Sequence, residues 1–241
     1  MPVILIPRVG PISILRPRRS LLGFRTRFYL PSTGAAAVSP AFDVGWEDTS
    51  IASRLATVTT RINSVMTTVS FTDLDGTDRD ILFRQWVSAR LDGAFAVPAD
   101  LVFLQMRGLE TLATQDMFLT WSVKVVSEDG LTVRGTVLAI RRDGAELDTV
   151  LTNRSDIVAG ASVSALNGDR FVFEIGTGGD PLVSHDSDLS IGDDSSTDLP
   201  QDDIATAADN PWIELPGRYA FQAEVAGAAL IGGLALFGVG R

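Results

Sequence analysis

The spacing of hydrophobic and polar residues predicts β-strands along most of the chain. In the range 81–89, apolar and polar side chains alternate with a period of two, which is typical of a strand with one buried face. The range 53–71 is rich in Thr, Val and Ile, whose branched side chains lose freedom in a helix. Further strands are predicted over 100–110, 117–130, 131–144, 170–176, 211–215 and 218–225. No long segment keeps the 3.6-residue period of a helix, although 147–158 has room for one helical turn.

The turns between these strands predict an antiparallel arrangement. Two β-rich runs meet at Glu128, Asp129 and Gly130, and an Asp-Gly pair tolerates the positive φ of a hairpin. Similar signals separate about eight to ten short strands, as in sandwich folds. We therefore expect an all-β fold, an antiparallel β-sandwich that is jelly-roll-like. The four Trp residues lie in apolar strand patterns and are expected in its core: Trp46, Trp86, Trp121 and Trp212.

Composition divides the chain into an extended basic arm (1–27), a β-sandwich domain (28–225) and an apolar, Gly-rich C-terminal tail (226–241). The arm contains four Pro, which favour extended geometry, and its apolar residues indicate packing against a neighbouring subunit; a free solvated tail is the alternative. Assembly contacts are expected from Ile4, Ile6, Arg8, Ile14, Arg16, Arg18 and Arg19 of the arm, and from Leu230, Ile231, Leu234, Leu236 and Phe237 of the tail. The apolar run of the tail is shorter than the roughly 20 residues of a spanning helix, so no membrane partner is expected.

Charge and cysteine content exclude several kinds of site. The net charge is −10, yet residues 1–30 hold six Arg and no acidic residue, so the rest of the chain is strongly acidic. Because phosphate contacts need positive charge, no specific nucleic acid is expected as a partner. The absence of Cys excludes disulfides, zinc knuckles and thiol nucleophiles. Pro residues and Arg8 interrupt the apolar start, which therefore does not fit a secretory signal.

An acidic turn near the middle of the predicted strands is the candidate metal site. Asp73, Asp75, Asp78 and Asp80 surround Gly76, and hard cations such as Ca²⁺ take several oxygen ligands from a tight turn. The spacing of a complete EF-hand loop is missing, and a solvated turn between strands is the alternative. Calcium is thus a weak candidate, and no other cofactor is expected.

A second acidic segment, 185–203, is expected to form a long solvated loop. Its Asp residues have no basic neighbour in sequence, so contact with the basic arm of this or another copy is the alternative. His185 is the single histidine and lies in this polar segment, which does not position a Ser-His-Asp triad by itself. A glycosidase needs only two carboxylates, but no feature of the sequence marks a pair, and the chain is not expected to be an enzyme. Trp212, beside the acidic segment, is a weak candidate for contact with a carbohydrate.

Several segments, spread over about 27–215, together resemble an uncharacterised family of virion-associated proteins from tailed bacteriophages and viral metagenomes. The matching segments are RFYLPSTGAAAVSPAFDVGWE, TDRDILFRQWVS, VVSEDGLTVRGTVLA, LTNR, VSALNGDRFVFEIG, DDSSTDLP and NPWIEL. The resemblance implies a virion protein with a jelly-roll-like body, and it carries over no catalytic residue. The arm and the tail depart from the family pattern.

Two functions follow as expectations from the resemblance and the apolar termini. The first is a structural component of a tailed phage virion, either a capsid decoration or cement protein or a neck or tail protein, assembled in the host cytoplasm. Its partners would be other virion proteins and copies of itself. The second is a tail-borne host-attachment or carbohydrate-binding module with a glycan receptor. A hydrolase is a third and weaker hypothesis, which requires a cleft with converging carboxylates.

Overall fold

The computed structural model describes residues 24–61, 64–74, 76–179, 184–193 and 211–223, and within these ranges the fold is all-β. The described residues contain no helix long and apolar enough to cross a membrane. They form thirteen strands: β1 (Arg25–Tyr29), β2 (Ser53–Ala56), β3 (Ser64–Asp73), β4 (Arg79–Val87), β5 (Phe95–Val97), β6 (Leu101–Glu110), β7 (Met117–Val126), β8 (Val133–Glu146), β9 (Thr152–Ala159), β10 (Val163–Ala165), β11 (Arg170–Gly179), β12 (His185–Asp193) and β13 (Trp212–Pro216).

Two large sheets contain eleven of these strands. In the first sheet, β6 pairs along one edge with β9 and along the other with β13 and then β12. Strands β1 and β3 pair with β13 and β12, respectively, and lie at the far side of the sheet. The second sheet has the order β2-β4-β11-β7-β8, and β5 and β10 form a separate pair. The pairings are antiparallel except for β2 with β4, which is parallel and departs from the expected all-antiparallel pattern.

One hydrophobic core contains side chains from both large sheets. Phe28 of the first sheet packs against Phe171 and Phe173 of the second, with ring centroids 5.4 and 4.9 Å apart. A buried hydrogen bond of 2.7 Å between the hydroxyls of Thr177 and Ser187 also joins β11 to β12. The four Trp residues are all buried, as expected from their apolar surroundings.

A buried polar network holds the segment before β2 against the second sheet. The Glu174 carboxylate accepts hydrogen bonds from Lys124 Nζ at 2.9 Å, Gln85 Nε2 at 2.8 Å and Ser122 Oγ at 3.1 Å. It also accepts one from Trp46 Nε1 at 2.9 Å, so the segment that carries Trp46 is tied to the sheet. The network supplies hydrogen-bond partners to four polar side chains that would otherwise be costly to bury.

Local sequence signals predicted several of these elements correctly. The hairpin at Asp129 and Gly130 is confirmed: it joins β7 to β8, the Ser127 nitrogen donates to the Thr132 oxygen, and Gly130 has a φ of 77°. Strands predicted over 81–89, 100–110, 170–176 and 211–215 correspond to β4, β6, β11 and β13.

Three local predictions are wrong. The range 147–158 contains no helical turn, because most of it forms β9 beside β6. Residues 218–223 form only an isolated bridge between Phe221 and Leu91, rather than a strand. The first part of the acidic segment is β12, a strand inside the sheet, rather than a solvated loop.

The burial pattern of β12 explains how an acidic segment enters a sheet. His185, Ser187 and Leu189 are buried, whereas Asp186 and Asp188 between them remain partly exposed. The acids therefore occupy one face of the strand, where water can solvate them. Strand β1 begins at Arg25, so three residues of the predicted arm (1–27) belong to the first sheet.

Candidate functional site

The structure places the predicted metal ligands in ion pairs with arginines. Asp73 pairs with Arg79, and Arg142 pairs with Asp78 at 2.6 Å and with Asp80 at 2.7 Å. Within the described ranges, no group of three or more His, Cys, Asp or Glu residues is arranged to hold a metal ion. Asp75 lies outside those ranges. Arginine guanidinium groups thus form ion pairs with the carboxylates that a metal ion would need as ligands.

Trp212 does not present an open face for a sugar. Its side chain is only 1% exposed, and the guanidinium carbon of Arg27 lies 3.8 Å from the ring centroid. A sugar-binding platform needs a solvent-facing ring, so this requirement of the carbohydrate candidate is not met. The predicted assembly residues of the arm and tail lie outside the described residues: Ile4, Ile6, Arg8, Ile14, Arg16, Arg18, Arg19, Leu230, Ile231, Leu234, Leu236 and Phe237.

The structure brings together a carboxyl pair that the sequence did not indicate. Glu110 is the last residue of β6, Glu146 is the last residue of β8, and Glu146 is near enough to help raise the pKa of Glu110. The Met117 nitrogen donates to Glu110 Oε2 at 3.0 Å, which anchors one side of that carboxyl group to the start of β7. On the other side of β7, Phe118 lies opposite Glu146 in the sheet register. Three strand ends thus position the two carboxyl groups.

The loop between β6 and β7 completes this arrangement. Gln115 Oε1 accepts hydrogen bonds from the Thr111 nitrogen at 3.0 Å and the Leu112 nitrogen at 2.8 Å. The chain then turns back through Asp116, a non-glycine residue with a φ of 47°, which is uncommon for such a residue. This turn returns the chain directly to Met117 beside Glu110.

The pair lies in the wall of an open cavity of about 380 Å³. Thr149, Thr152 and Arg154 line the same cavity and add hydroxyl and guanidinium groups to its surface. Glu110 is only 1% exposed, whereas Glu146 is exposed to solvent. One carboxyl group of the pair is therefore shielded from water and the other can contact a solute.

Burial raises the pKa of Glu110 to about 7, and the nearby charges of Glu146 and Asp116 act in the same direction. The hydrogen bond from Met117 opposes this rise. Two close carboxyl groups cannot both ionise easily, so the protonated form of Glu110 is favoured. The pair therefore holds a proton that is exchangeable near neutral pH.

A buried ion pair borders this cavity. Arg154 donates to Asp143 Oδ2 at 2.8 Å and also bonds the Ala145 oxygen. Burial raises the pKa of Asp143, while the ion pair with Arg154 opposes that rise. This contact keeps Arg154 at the cavity wall.

A larger polar cavity, of about 790 Å³, lies near the other end of β7. Its charged side chains compensate one another: Arg90 pairs with Glu128 at 2.6 Å, and Arg134 pairs with Asp169 at 3.2 Å. Asp169 also accepts the Leu166 nitrogen at 2.7 Å, so it holds the turn before β11. These paired groups stabilise the turns, whereas the smaller cavity contains a buried acid, Glu110, with a raised pKa, which makes the Glu110–Glu146 cavity the better candidate site.

Comparison with known proteins gives only distant structural matches. No family model and no curated protein matches the chain. Two crystal structures of a CocE/NonD family hydrolase from Staphylococcus aureus match with a TM-score of 0.47 and 9% identity, over 80% and 81% of this chain. An α-amino acid ester hydrolase matches over 56% of this chain, with a TM-score of 0.38 and 10% identity. The chain spans 37% of the Staphylococcus hydrolase and 25% of the ester hydrolase.

These matches correct two expectations from the sequence. The chain was expected to be a phage structural protein, or else a tail-borne binding module, and not an enzyme; the matched structures are hydrolases, and none of the three is a phage structural protein. Likenesses this distant carry no argument about the activity of this chain, which has to come from its own residues. The resemblance to phage proteins and the location in a virion stay predictions.

Proposed function

We propose that this chain is a hydrolase that cleaves a small ester or amide, with Glu110 and Glu146 as its catalytic acid and base. The observation that carries the proposal is the placement of these two carboxyl groups in the wall of one open cavity, where Glu146 helps to raise the pKa of the buried Glu110. It supplies the cleft with converging carboxylates that a hydrolase requires.

The closeness of the two carboxyl groups favours carbonyl hydrolysis over glycoside hydrolysis. Glycosidases keep their two carboxyl groups about 5–5.5 Å apart, or about 6.5–9.5 Å apart, with a sugar or a water between them. In the proposed dyad, Glu110 and Glu146 share one proton directly, which requires a shorter separation. A pair that shares one proton is instead suited to acting on a water molecule and a carbonyl group together, as in the dyad of aspartic proteases.

The different environments of the two groups assign their roles. The exposed Glu146 carboxylate takes a proton from a water molecule as the water oxygen bonds to the carbonyl carbon. The buried Glu110 gives its proton to the carbonyl oxygen, which forms a neutral tetrahedral intermediate. When the bond to the leaving group breaks, Glu146 gives its new proton to that group, and a hydroxyl proton of the intermediate returns to Glu110. The pair thus ends each cycle with one proton, as it began.

We also propose a finer description of the fold, a jelly-roll-like β-sandwich. The main core shared by the two large sheets and the Phe28 contacts between them support a two-layer arrangement. In this arrangement the ends of β6 and β8 meet at one end of the sandwich, where loops commonly carry functional residues.

Steady-state assays with chromogenic esters, anilides and glycosides would test the activity. We expect turnover of an ester or an anilide, a loss of about 10²–10⁴-fold in kcat for Glu110→Gln and for Glu146→Gln, and normal kcat for the control Glu128→Gln in the other cavity. The rate should fall as the pH rises above about 7, because the pair then loses its shared proton.

Absence of turnover by the folded wild-type chain would overturn the proposal. Equal rates for the wild type and both Gln variants would do so as well. Preferential cleavage of glycosides would contradict the assignment to carbonyl compounds.

A further inference from the structure

Strand β3 forms a long, uncharged edge of the first sheet. It has ten residues, Ser64–Asp73, and it pairs antiparallel with β12 along one side only, as far as the described residues extend. From Ser64 to Thr72 it contains no charged residue, no Pro and no Gly. Proteins commonly place charged residues or Pro in an edge strand to prevent it from pairing with another chain, and this part of β3 has neither.

The side chains of β3 also leave apolar surface uncovered. Val69 and Phe71 are each 7% exposed and point into the core, and Val65 belongs to the same alternating set. Val65 is nevertheless 72% exposed. The core-facing side of β3 is therefore buried at Val69 and Phe71 but exposed to solvent at Val65.

We infer that β3 pairs antiparallel with β3 of a second copy of this chain, about a two-fold axis at Thr68. This register places Val65 of each copy opposite Phe71 of the other, on the core-facing side, so Val65 is covered. On the opposite side it places Thr68 of one copy opposite Thr68 of the other, and two Thr side chains pair well across strands.

Charge favours a second copy as the occupant. In a two-fold contact each residue meets the same kind of surface, so a charged edge would repel itself. The range 64–72 avoids this, and Asp73 lies beyond the paired residues of this register. Because each copy carries a net charge of −10, screening by salt should strengthen the contact. An association built on ion pairs would respond in the opposite direction.

A cysteine placed on the proposed axis tests the contact directly, because the chain has no native Cys. Directly opposed residues in antiparallel strands have Cα atoms about 4.5–5.5 Å apart, within the range of a disulfide. Under mild oxidation of the full chain, Thr68→Cys should form a disulfide-linked dimer. The matched control, Thr49→Cys in an exposed turn, should not.

Light scattering after size exclusion supplies the second measurement. At about 100 µM the wild-type chain should be a dimer, with a fraction that increases with NaCl concentration. Thr68→Lys should be a folded monomer, because two lysines would then face each other, and Thr49→Lys should remain a dimer. A monomeric wild type would overturn the inference. A Thr68→Cys chain that stays monomeric under oxidation would also overturn it, and would indicate that a segment of the same chain covers the edge of β3.

Discussion

The buried ion pair between Lys124 and Glu174 allows the sharpest prediction about stability. The Lys124 nitrogen and the Glu174 oxygen are 2.9 Å apart, and their side chains are 4% and 0% exposed. The substitution Lys124→Met removes the positive charge and keeps a side chain of similar length. It leaves the carboxylate buried without its counter-charge, which typically costs about 3–5 kcal/mol.

The remaining hydrogen bonds place the expected loss at the lower end of that range. After the substitution, Gln85, Ser122 and Trp46 still donate to Glu174. We therefore expect a loss of about 3 kcal/mol in the free energy of unfolding, which is a large part of the roughly 5–15 kcal/mol that stabilises a typical protein. The double variant Lys124→Met with Glu174→Gln should lose only about 1–2 kcal/mol, because an amide oxygen in the place of Oε2 still accepts from Trp46 and Ser122 and carries no charge.

Urea unfolding followed by tryptophan fluorescence measures these differences. Arg90→Met is the control, because the Arg90–Glu128 pair is 27% and 60% exposed and an exposed pair contributes about 0–1 kcal/mol. If the single variant lost less than the control, the pair would not be buried as described. If the double variant were no more stable than the single variant, the uncompensated charge would not be the cause of the loss.

Two further predictions concern stability. Because the pKa of Glu110 is raised in the folded chain, the folded state binds its proton more tightly than the unfolded state does, and this contribution to stability is lost as the pH rises from about 4.5 to about 7. Glu110→Gln should therefore match the wild type at pH 4 and be more stable at pH 8, by at most about 3 kcal/mol, in thermal unfolding at both pH values; an unchanged difference would contradict the raised pKa. Gly176→Ala should lower the free energy of unfolding in urea by about 3 kcal/mol, because the added Cβ would lie 1.8 Å from the Ile81 oxygen. The control Gly144→Ala, whose Cβ would have nothing within 4 Å, should change it by less than about 0.5 kcal/mol. Equal stabilities of the two variants would refute this account.

Local signals in the sequence predicted the parts of the fold that depend on neighbouring residues. The Asp129-Gly130 turn and the alternating pattern of β4 follow from backbone geometry over a few residues, and both predictions hold. The acidity of β12 predicts a solvated loop, whereas its period of two indicates a strand. The buried set of His185, Ser187 and Leu189 is readable in the sequence when every second residue is considered.

The candidate site was not predictable in this way. Glu110 and Glu146 end two strands that do not pair with each other, and they meet only because β7 and the turn at Asp116 bring those strand ends together. Neither residue has a distinctive neighbour in sequence. The ion pairs of the acidic turn were not predictable for a related reason: Arg142, which pairs with Asp78 and Asp80, is distant from them along the chain.

The pairing of β1 with β13 has a consequence for how the protein is made. Arg27 bonds to Glu214 across a separation of 187 residues, so β1 can pair with β13 only after the chain between them has been synthesised. A ribosome would have to release nearly the whole domain before this edge of the sheet could close. Contacts between such distant residues slow folding, because the chain loses loop entropy before it gains the contact. Until β13 has been synthesised, β1 lacks the strand with which it pairs. We expect the nascent chain to be most prone to aggregation during this time.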